Sequence, residues 1–215
     1  MWRMEDVLDL YAEPFQAWRP VVCFDERPVQ LLSDSCQPVP MQSGRVRRYD
    51  YEYKREGTAN LFVMCQPLAG WRHVKATQQR TRADFAHCMK ELVDVHFPCA
   101  EVIRVVLDNL NTHSPAALYE AFAPEQARRL LRRLQFHFTP KHGSWLNMAE
   151  IEISILSRQC FKQRVSNLEQ LADVSRKWTI ARNEQSAKIN WCFDVTQARA
   201  RLGTPVSLIT CGMEY

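Results

Sequence analysis

The chain has 215 residues, 46% of them hydrophobic and 24% charged, with a net charge of +4. That is enough apolar material for one domain with a full core, and it excludes a disordered or fibrous chain. No apolar run approaches the ~20 residues of a membrane span, and the start, Met1-Trp-Arg-Met-Glu-Asp-Val-Leu, lacks the apolar core of a secretory signal, so a cytoplasmic protein with no membrane partner is expected.

Residues 1–19 read as a short helix and a linker ending near Pro20. Residues 21–32 form an apolar strand running into a turn, and 33–48, with Pro38, Pro40 and Gly44, a loop. Alternation resumes at Tyr49-Asp-Tyr-Glu-Tyr53, and Lys-Arg-Glu-Gly57 reads as a turn. Residues 59–65 and 71–77, joined through Gly70, predict a hairpin. From Thr81 the period changes. Thr81 caps a predicted helix whose apolar face holds Phe85, Cys88, Met89, Leu92 and Val95, with Pro98 beyond its end. A buried strand follows at 102–107, then helical pattern over 115–134 broken near Pro124. A strand over 134–140, a loop at 141–144 and helices over about 147–161 and 167–182 complete the pattern. This order predicts an α/β fold, a mixed sheet flanked by helices, with a main domain over 20–184 and a C-terminal extension over 185–215. Residues 205–215 match no element. The eight cysteines stand singly with no CxxC pair, which argues for free thiols and against a structural zinc site. Cys23 and Cys65 lie inside apolar runs and read as small core residues.

The acidic residues carry the chemistry. Asp25 ends the run Pro20-Val-Val-Cys-Phe24, Asp108 ends Val102-Ile-Arg-Val-Val-Leu107, and Glu150 opens a helix. Singly, an Asp that ends a strand is ordinarily a turn or cap residue. Two such aspartates with a helix-opening Glu are instead the donor set of a divalent-metal nuclease. Asn109, Asn111 and His113 follow Asp108, and Lys141, His142, Ser144 and Asn147 precede Glu150; all can contact phosphate or orient water. Two ambiguities remain at this level. Glu152 competes with Glu150, since residues two apart on a helix project about 200° apart. Glu150 shares a polar stripe with Ser154 and Ser157, while Glu152 falls amid Met148, Ile155 and Leu156. Glu26 competes with Asp25 in the same way, because neighbours on a strand face opposite sides.

The segments Val-Val-Cys-Phe-Asp25-Glu, Leu-Asp108-Asn-Leu-Asn-Thr-His113 and Thr139-Pro-Lys-His-Gly-Ser-Trp-Leu-Asn-Met-Ala-Glu150 resemble the catalytic core of the insertion-sequence-630 transposases, relatives of the mariner group. The resemblance runs from about Trp2 to Leu202. It implies a ribonuclease-H-like fold and a DDE triad of Asp25, Asp108 and Glu150, which settles both ambiguities by resemblance. It also implies DNA cleavage and strand transfer at a TA target, double-stranded DNA (element ends and target) as partner, and a homodimer on paired ends. The spacer from Asp108 to Glu150 is longer than is usual in the wider mariner group, and the arginine-rich helix near 124–133 accounts for the extra length. Full-length members carry an N-terminal helix-turn-helix domain that nothing here resembles, so a truncated copy or one half of a split transposase is expected.

The expected cofactor is a pair of Mg²⁺ ions, with Mn²⁺ as substitute, about 3.5–4 Å apart and held by the three acids. Lys141, His142 and the cluster Arg128, Arg129, Arg132 and Arg133 are the expected phosphate contacts, with a helix cap as the alternative for His142. Trp71 and Trp145 can stack on bases, although tryptophans in apolar context more often belong to cores. Another ribonuclease-H-like nuclease, or an inactive DNA-binding remnant, are the competing readings.

Overall fold

The computed structural model describes residues 1–35 and 52–202. Helix α1 (Trp2–Ala12) leads into strand β1 (Val21–Asp34), which pairs antiparallel with β2 (Tyr53–Gln66), itself paired antiparallel with β3 (Trp71–Thr77). Helix α2 (Arg82–Glu91) and a π-helical turn (Leu92–His96) then carry the chain to β4 (Ile103–Leu107), parallel to β1. Helices α3 (Ala116–Ala121) and α4 (Pro124–Leu131) lead to β5 (Leu134–Phe138), parallel to β4. After a short 3₁₀ turn (Ser144–Leu146) come α5 (Ala149–Cys160), α6 (Leu168–Glu184) and α7 (Val195–Leu202). The sheet order is β3-β2-β1-β4-β5.

Strand alternation sorts the core into two layers. Val22 and Phe24 of β1, with Ile103, Val105 and Leu107 of β4, pack under Phe85, Met89, Leu118 and Leu130 from α2, α3 and α4. On the other face Val21, Cys23 and Val106 meet Met4, Val7 and Leu8 of α1 and Ala149 of α5. Farther along that face, Val29, Leu31, Leu61 and Val63 meet Leu156 of α5 and Leu171 and Trp178 of α6. The N-terminal segment is therefore part of the core. Thr81 caps α2 as expected, and Asp84 returns the bond in a reciprocal box. Gly70 turns the β2–β3 hairpin at φ +71°, and a Cβ there would lie 2.5 Å from the Ser186 carbonyl oxygen, so the position needs glycine twice over.

Three local expectations are corrected. The predicted turn at 54–57 lies inside β2: Gly57 takes φ +114° opposite the register shift between Leu31 and Leu32, a bulge that lets pairing continue to Tyr53. For the same reason residues 33–34 are strand, not loop. Val95 is 66% exposed, because the π-helical turn widens the helix by one residue and brings His96 and Phe97 round in its place. The loop and strand readings over 36–51 and the unplaced segment 205–215 lie outside the described residues. Among those described, the six cysteines are free thiols, with Cys23 and Cys65 buried, and no helix is long and apolar enough to cross a membrane.

Candidate active site

Parallel pairing aligns the two aspartates. Cys23 lies opposite Val106 across β1 and β4, and Asp25 and Asp108 each stand two residues farther on, at the same end of adjacent strands. Asp25 shares its face with Cys23, toward the α1 and α5 side, and Asp108 directly follows the last residue of β4, near enough for its charge to act on Asp25. Asn147 brings the third acid there. Its amide is fully buried, donates to the Phe24 carbonyl (2.8 Å) and to Asp25 Oδ2 (3.2 Å), and its Oδ1 accepts the Ala149 N–H (3.2 Å). The start of α5 is thereby tied to the end of the apolar part of β1, and Glu150 lies in its first turn, exposed and with no side-chain partner among the described residues.

Electrostatics agree with this convergence. Burial pushes the Asp25 carboxyl up to about 7, reinforced by the charges of Glu150, Glu26 and Asp108 and opposed by the Glu26 N–H that donates to it at 2.8 Å. Asp108 is held below the usual carboxylate range by His113, against partial burial, and the Leu110 N–H and Arg80 act in the same direction as His113. Among the described residues the three carboxylates do not crowd into a single cage with oxygens all within 4.8 Å. A two-ion site does not need that, because its ligands are divided between ions about 3.5–4 Å apart. An all-oxygen set with a free Glu150, a half-open Asp108 and a buried Asp25 that resists ionisation alone fits hard dications such as Mg²⁺ or Mn²⁺.

The two competitors have other work. Glu152 is fully buried and paired with Arg72 (2.7 Å) and Arg182 (3.3 Å). Glu26 points to the α2 side, where it meets Arg80 (3.2 Å) and His113 (2.8 Å). His113, read as able to contact phosphate or orient water, is buried between Glu26 and Asp108 (2.7 Å), with its ring against Phe24 and Phe85. Both carboxylates lie at ion-pair distance, although they are not aligned as hydrogen bonds. Burial works against a charged imidazole, but Asp108 and Glu26 outweigh it and raise His113 to about 9. A folded-state value above the unfolded one of about 6.5 stabilises the fold fully below pH 6.5, and the gain is lost as pH rises through 9. In metal-free buffer, His113→Phe is expected to cost about 3 kcal/mol at pH 6 and far less at pH 10. Urea denaturation across that range checks it, and a cost independent of pH would remove the charge from the account.

Lys141 and His142 line a cleft of about 210 Å³ together with Asp108, Asn109 and Ser144. His142 takes φ +64° in the turn closed by the Gly143 N–H to Pro140 carbonyl bond, and it caps no helix. The arginine cluster is not brought to this cleft. It lies before β5, at the opposite end of the parallel strands, roughly 13 Å of strand away. Arg129 forks onto Asp94 (2.7 and 2.8 Å), and Arg133 donates to the carbonyls of Phe97, Pro98 and Ala100. Arg128 and Arg132 remain exposed. Trp71 packs against His96 and Phe97, whereas Trp145 is 48% exposed with its edge on Phe193. Arg80, beside Glu26 (3.2 Å) and within electrostatic reach of Asp108, is a further cation at this end of the sheet, one that the sequence reading did not single out. Its place after the β3 edge gave no local signal.

Residues 20–172, well over half of the chain, match the sequence model described as DDE superfamily endonuclease. No curated protein matches the chain. Among solved structures, the Mos1 mariner paired end complex with Mn superposes with a TM-score of 0.57 at 14% identity, over 86% of this chain and 56% of that one. The Mos1 strand transfer complex gives 0.59 at 12% identity, over 87% and 56%. The paired end complex with Mg gives 0.55 at 15% identity, over 86% and 54%. The fold is thus the ribonuclease-H-like one, and this chain spans a little over half the length of those it resembles.

Proposed function

We propose that this chain, which belongs to the DDE superfamily endonucleases, cuts DNA strands and joins the freed ends to a target, with Asp25, Asp108 and Glu150 as its metal-binding triad. The observation that carries the reading is the alignment of Asp25 and Asp108 at one end of adjacent parallel strands, with Asn147 tying the Glu150 helix to Asp25. Asp25, Asp108 and Glu150 would hold two Mg²⁺ or Mn²⁺ ions, which would supply neutralisation of a phosphodiester and acidification of an attacking water or 3′-hydroxyl. The chain's own residues do the holding. Asn147 and the Glu26 N–H orient the Asp25 carboxylate, and His113 fixes one oxygen of Asp108 and leaves the other to face the cleft. Glu150, exposed and with no side-chain partner among the described residues, would supply the third carboxylate. Lys141 and His142 serve as the phosphate contacts beside Asp108.

The finer parts of the reading are proposals of the same standing: membership of the insertion-sequence-630 group, double-stranded element ends and target as substrate, a homodimer on paired ends, and 20–184 as the catalytic unit. The neighbouring structures are of Mos1 paired end and strand transfer complexes, which supports this assignment.

The test is strand cleavage of linear duplex, branched DNA and RNA–DNA hybrid with Mg²⁺ or Mn²⁺. Duplex cleavage is expected, with a loss of at least ~100-fold in Asp108→Asn and Glu150→Gln. Retained cleavage in either variant removes that residue from the triad, and preference for the hybrid replaces transposition with a ribonuclease H activity. In parallel, Lys141→Ala should reduce the slope of log affinity against log salt by about 1. Arg133→Ala should leave that slope unchanged, because its guanidinium is spent on carbonyls.

A further inference from the structure

Strand β3 forms one edge of the sheet, and its alternation sends Arg72 and Val74 toward α6 and Trp71, His73 and Lys75 toward α2. On that second face it meets the end of α2, which supplies Glu91, and the π-helical turn, which supplies His96. The turn is closed by the Phe97 N–H on the Leu92 carbonyl (2.9 Å), and its extra residue is what carries His96 onto His73, with ring centroids 4.3 Å apart. One ligand atom each from His73, Glu91 and His96 lies within 4.8 Å of the other two, a grouping no other His, Cys, Asp or Glu set reaches among the described residues. All three side chains are half-buried, and Trp71 walls the site 5.0 Å from the His96 ring, backed by Phe97.

We propose that His73, Glu91 and His96 bind a transition-metal dication, Zn²⁺ by preference, at a site separate from the Asp25–Asp108–Glu150 centre. Two imidazoles and a carboxylate are the donor set of a zinc site with an open fourth position, which water would fill. Tetrahedral bonds of about 2.0–2.1 Å place ligand atoms roughly 3.3 Å apart, so closure from the observed spacing takes side-chain rotation and no backbone rebuilding. Burial, and for His73 the neighbouring His96 as well, lowers both imidazoles below their ordinary value, His73 to about 4. Both are therefore neutral near pH 7, in the form that ligates. Mg²⁺ is a poor match because it prefers oxygen and gives up water reluctantly. One group competes: Lys75 sits 2.5 Å from Glu91 and must swing aside for the ion. The bound ion would staple the sheet's edge strand to the π-helical turn.

The full chain carrying Asp25→Asn and Asp108→Asn, which disable the other centre, is titrated with Zn²⁺ against a chromophoric chelator in millimolar Mg²⁺. One Zn²⁺ per chain is expected, and Co²⁺ in its place should give the visible absorption of a low-coordinate nitrogen and oxygen site. Loss of a ligand should weaken binding at least as much as loss of an outer partner does, so ~100-fold is expected for His73→Ala, His96→Ala and the gentler His73→Gln. Lys75→Met should tighten binding by removing the competitor for Glu91. Circular dichroism of each variant keeps unfolding distinct from lost binding. No stoichiometric Zn²⁺, or an affinity unmoved by folded His73→Gln and His96→Ala chains, overturns the proposal.

Discussion

Asp25→Asn is expected to make the metal-free protein more stable at pH 8 while abolishing its metal-dependent strand cleavage. Asp25 is only 7% exposed, and its carboxyl sits at about 7 in the fold against about 3.9 in an unfolded chain. Below pH 4 the proton is on in both states and the group has no effect. Between pH 4 and 7 the unfolded chain gives up the proton while the fold keeps it, so the fold binds more protons and stability falls as pH rises. Above pH 7 the penalty is complete, at about 4 kcal/mol. Asparagine removes it, but it has one acceptor oxygen where Asp25 uses two, for the Glu26 N–H and the Asn147 amide. A lost hydrogen bond of ~1 kcal/mol leaves a net gain of about 3 kcal/mol. Urea unfolding with a chelator present should show that gain at pH 8 and its disappearance by pH 4. Added Mg²⁺ or Mn²⁺ should then stabilise the native chain and not the variant, since only ionised Asp25 repays its burial by binding cation. A variant no more stable than the native chain at pH 8 would mean that Asp25 is not held against its own charge, and the account of a buried carboxylate that needs a cation to ionise would fail with it.

How much of this was legible without coordinates depends on whether the signal was local. The Thr81 cap, the Gly70 turn and the apolar runs ending in Asp25 and Asp108 are each written in a few consecutive residues, and each appears as expected. Gly57 looks like a turn because glycine marks turns and bulges alike, and only the partner strand decides between them. Val95 keeps helical spacing, yet a π-helical turn has no signature in that spacing. Asn147 and His113 were read as groups able to contact phosphate or orient water; in the fold Asn147 bonds Asp25 and His113 is buried between Glu26 and Asp108. A polar side chain that orients a carboxylate and one that contacts phosphate look the same in sequence. The arginine cluster lies away from the cleft for a similar reason: proximity along the chain to Lys141 hid the length of β5 between them. One signal was available and unused. Arg72 shares its strand face with Val74, and an arginine in a core-facing position requires a buried acid.

That acid is Glu152, and exchanging the two glutamates of α5 should separate structure from chemistry. Glu152→Ala leaves the Arg72 guanidinium, 1% exposed, without its carboxylate; the carbonyls of Gly70 and Ala187 remain but carry no full charge. Breaking a buried pair from one side typically costs about 3–5 kcal/mol, and Arg182 on the rim is the wrong sign to help. Glu150→Gln touches an exposed, unpaired side chain and should move stability by less than about 0.5 kcal/mol. It should also relieve Asp25, whose carboxyl Glu150 helps to push up. The effects on cleavage should run the other way. Measured per folded molecule, Glu152→Ala should retain activity and Glu150→Gln should lose it. Replacing both partners, as Arg72→Met with Glu152→Leu, should recover most of the lost stability, because an apolar pair of similar size carries no desolvation penalty. An unstable Glu150→Gln beside a stable but inactive Glu152→Ala would reverse the assignment. The triad would then have to be rebuilt around the buried residue, and Arg72 would become a ligand-orienting group in place of a core ion pair.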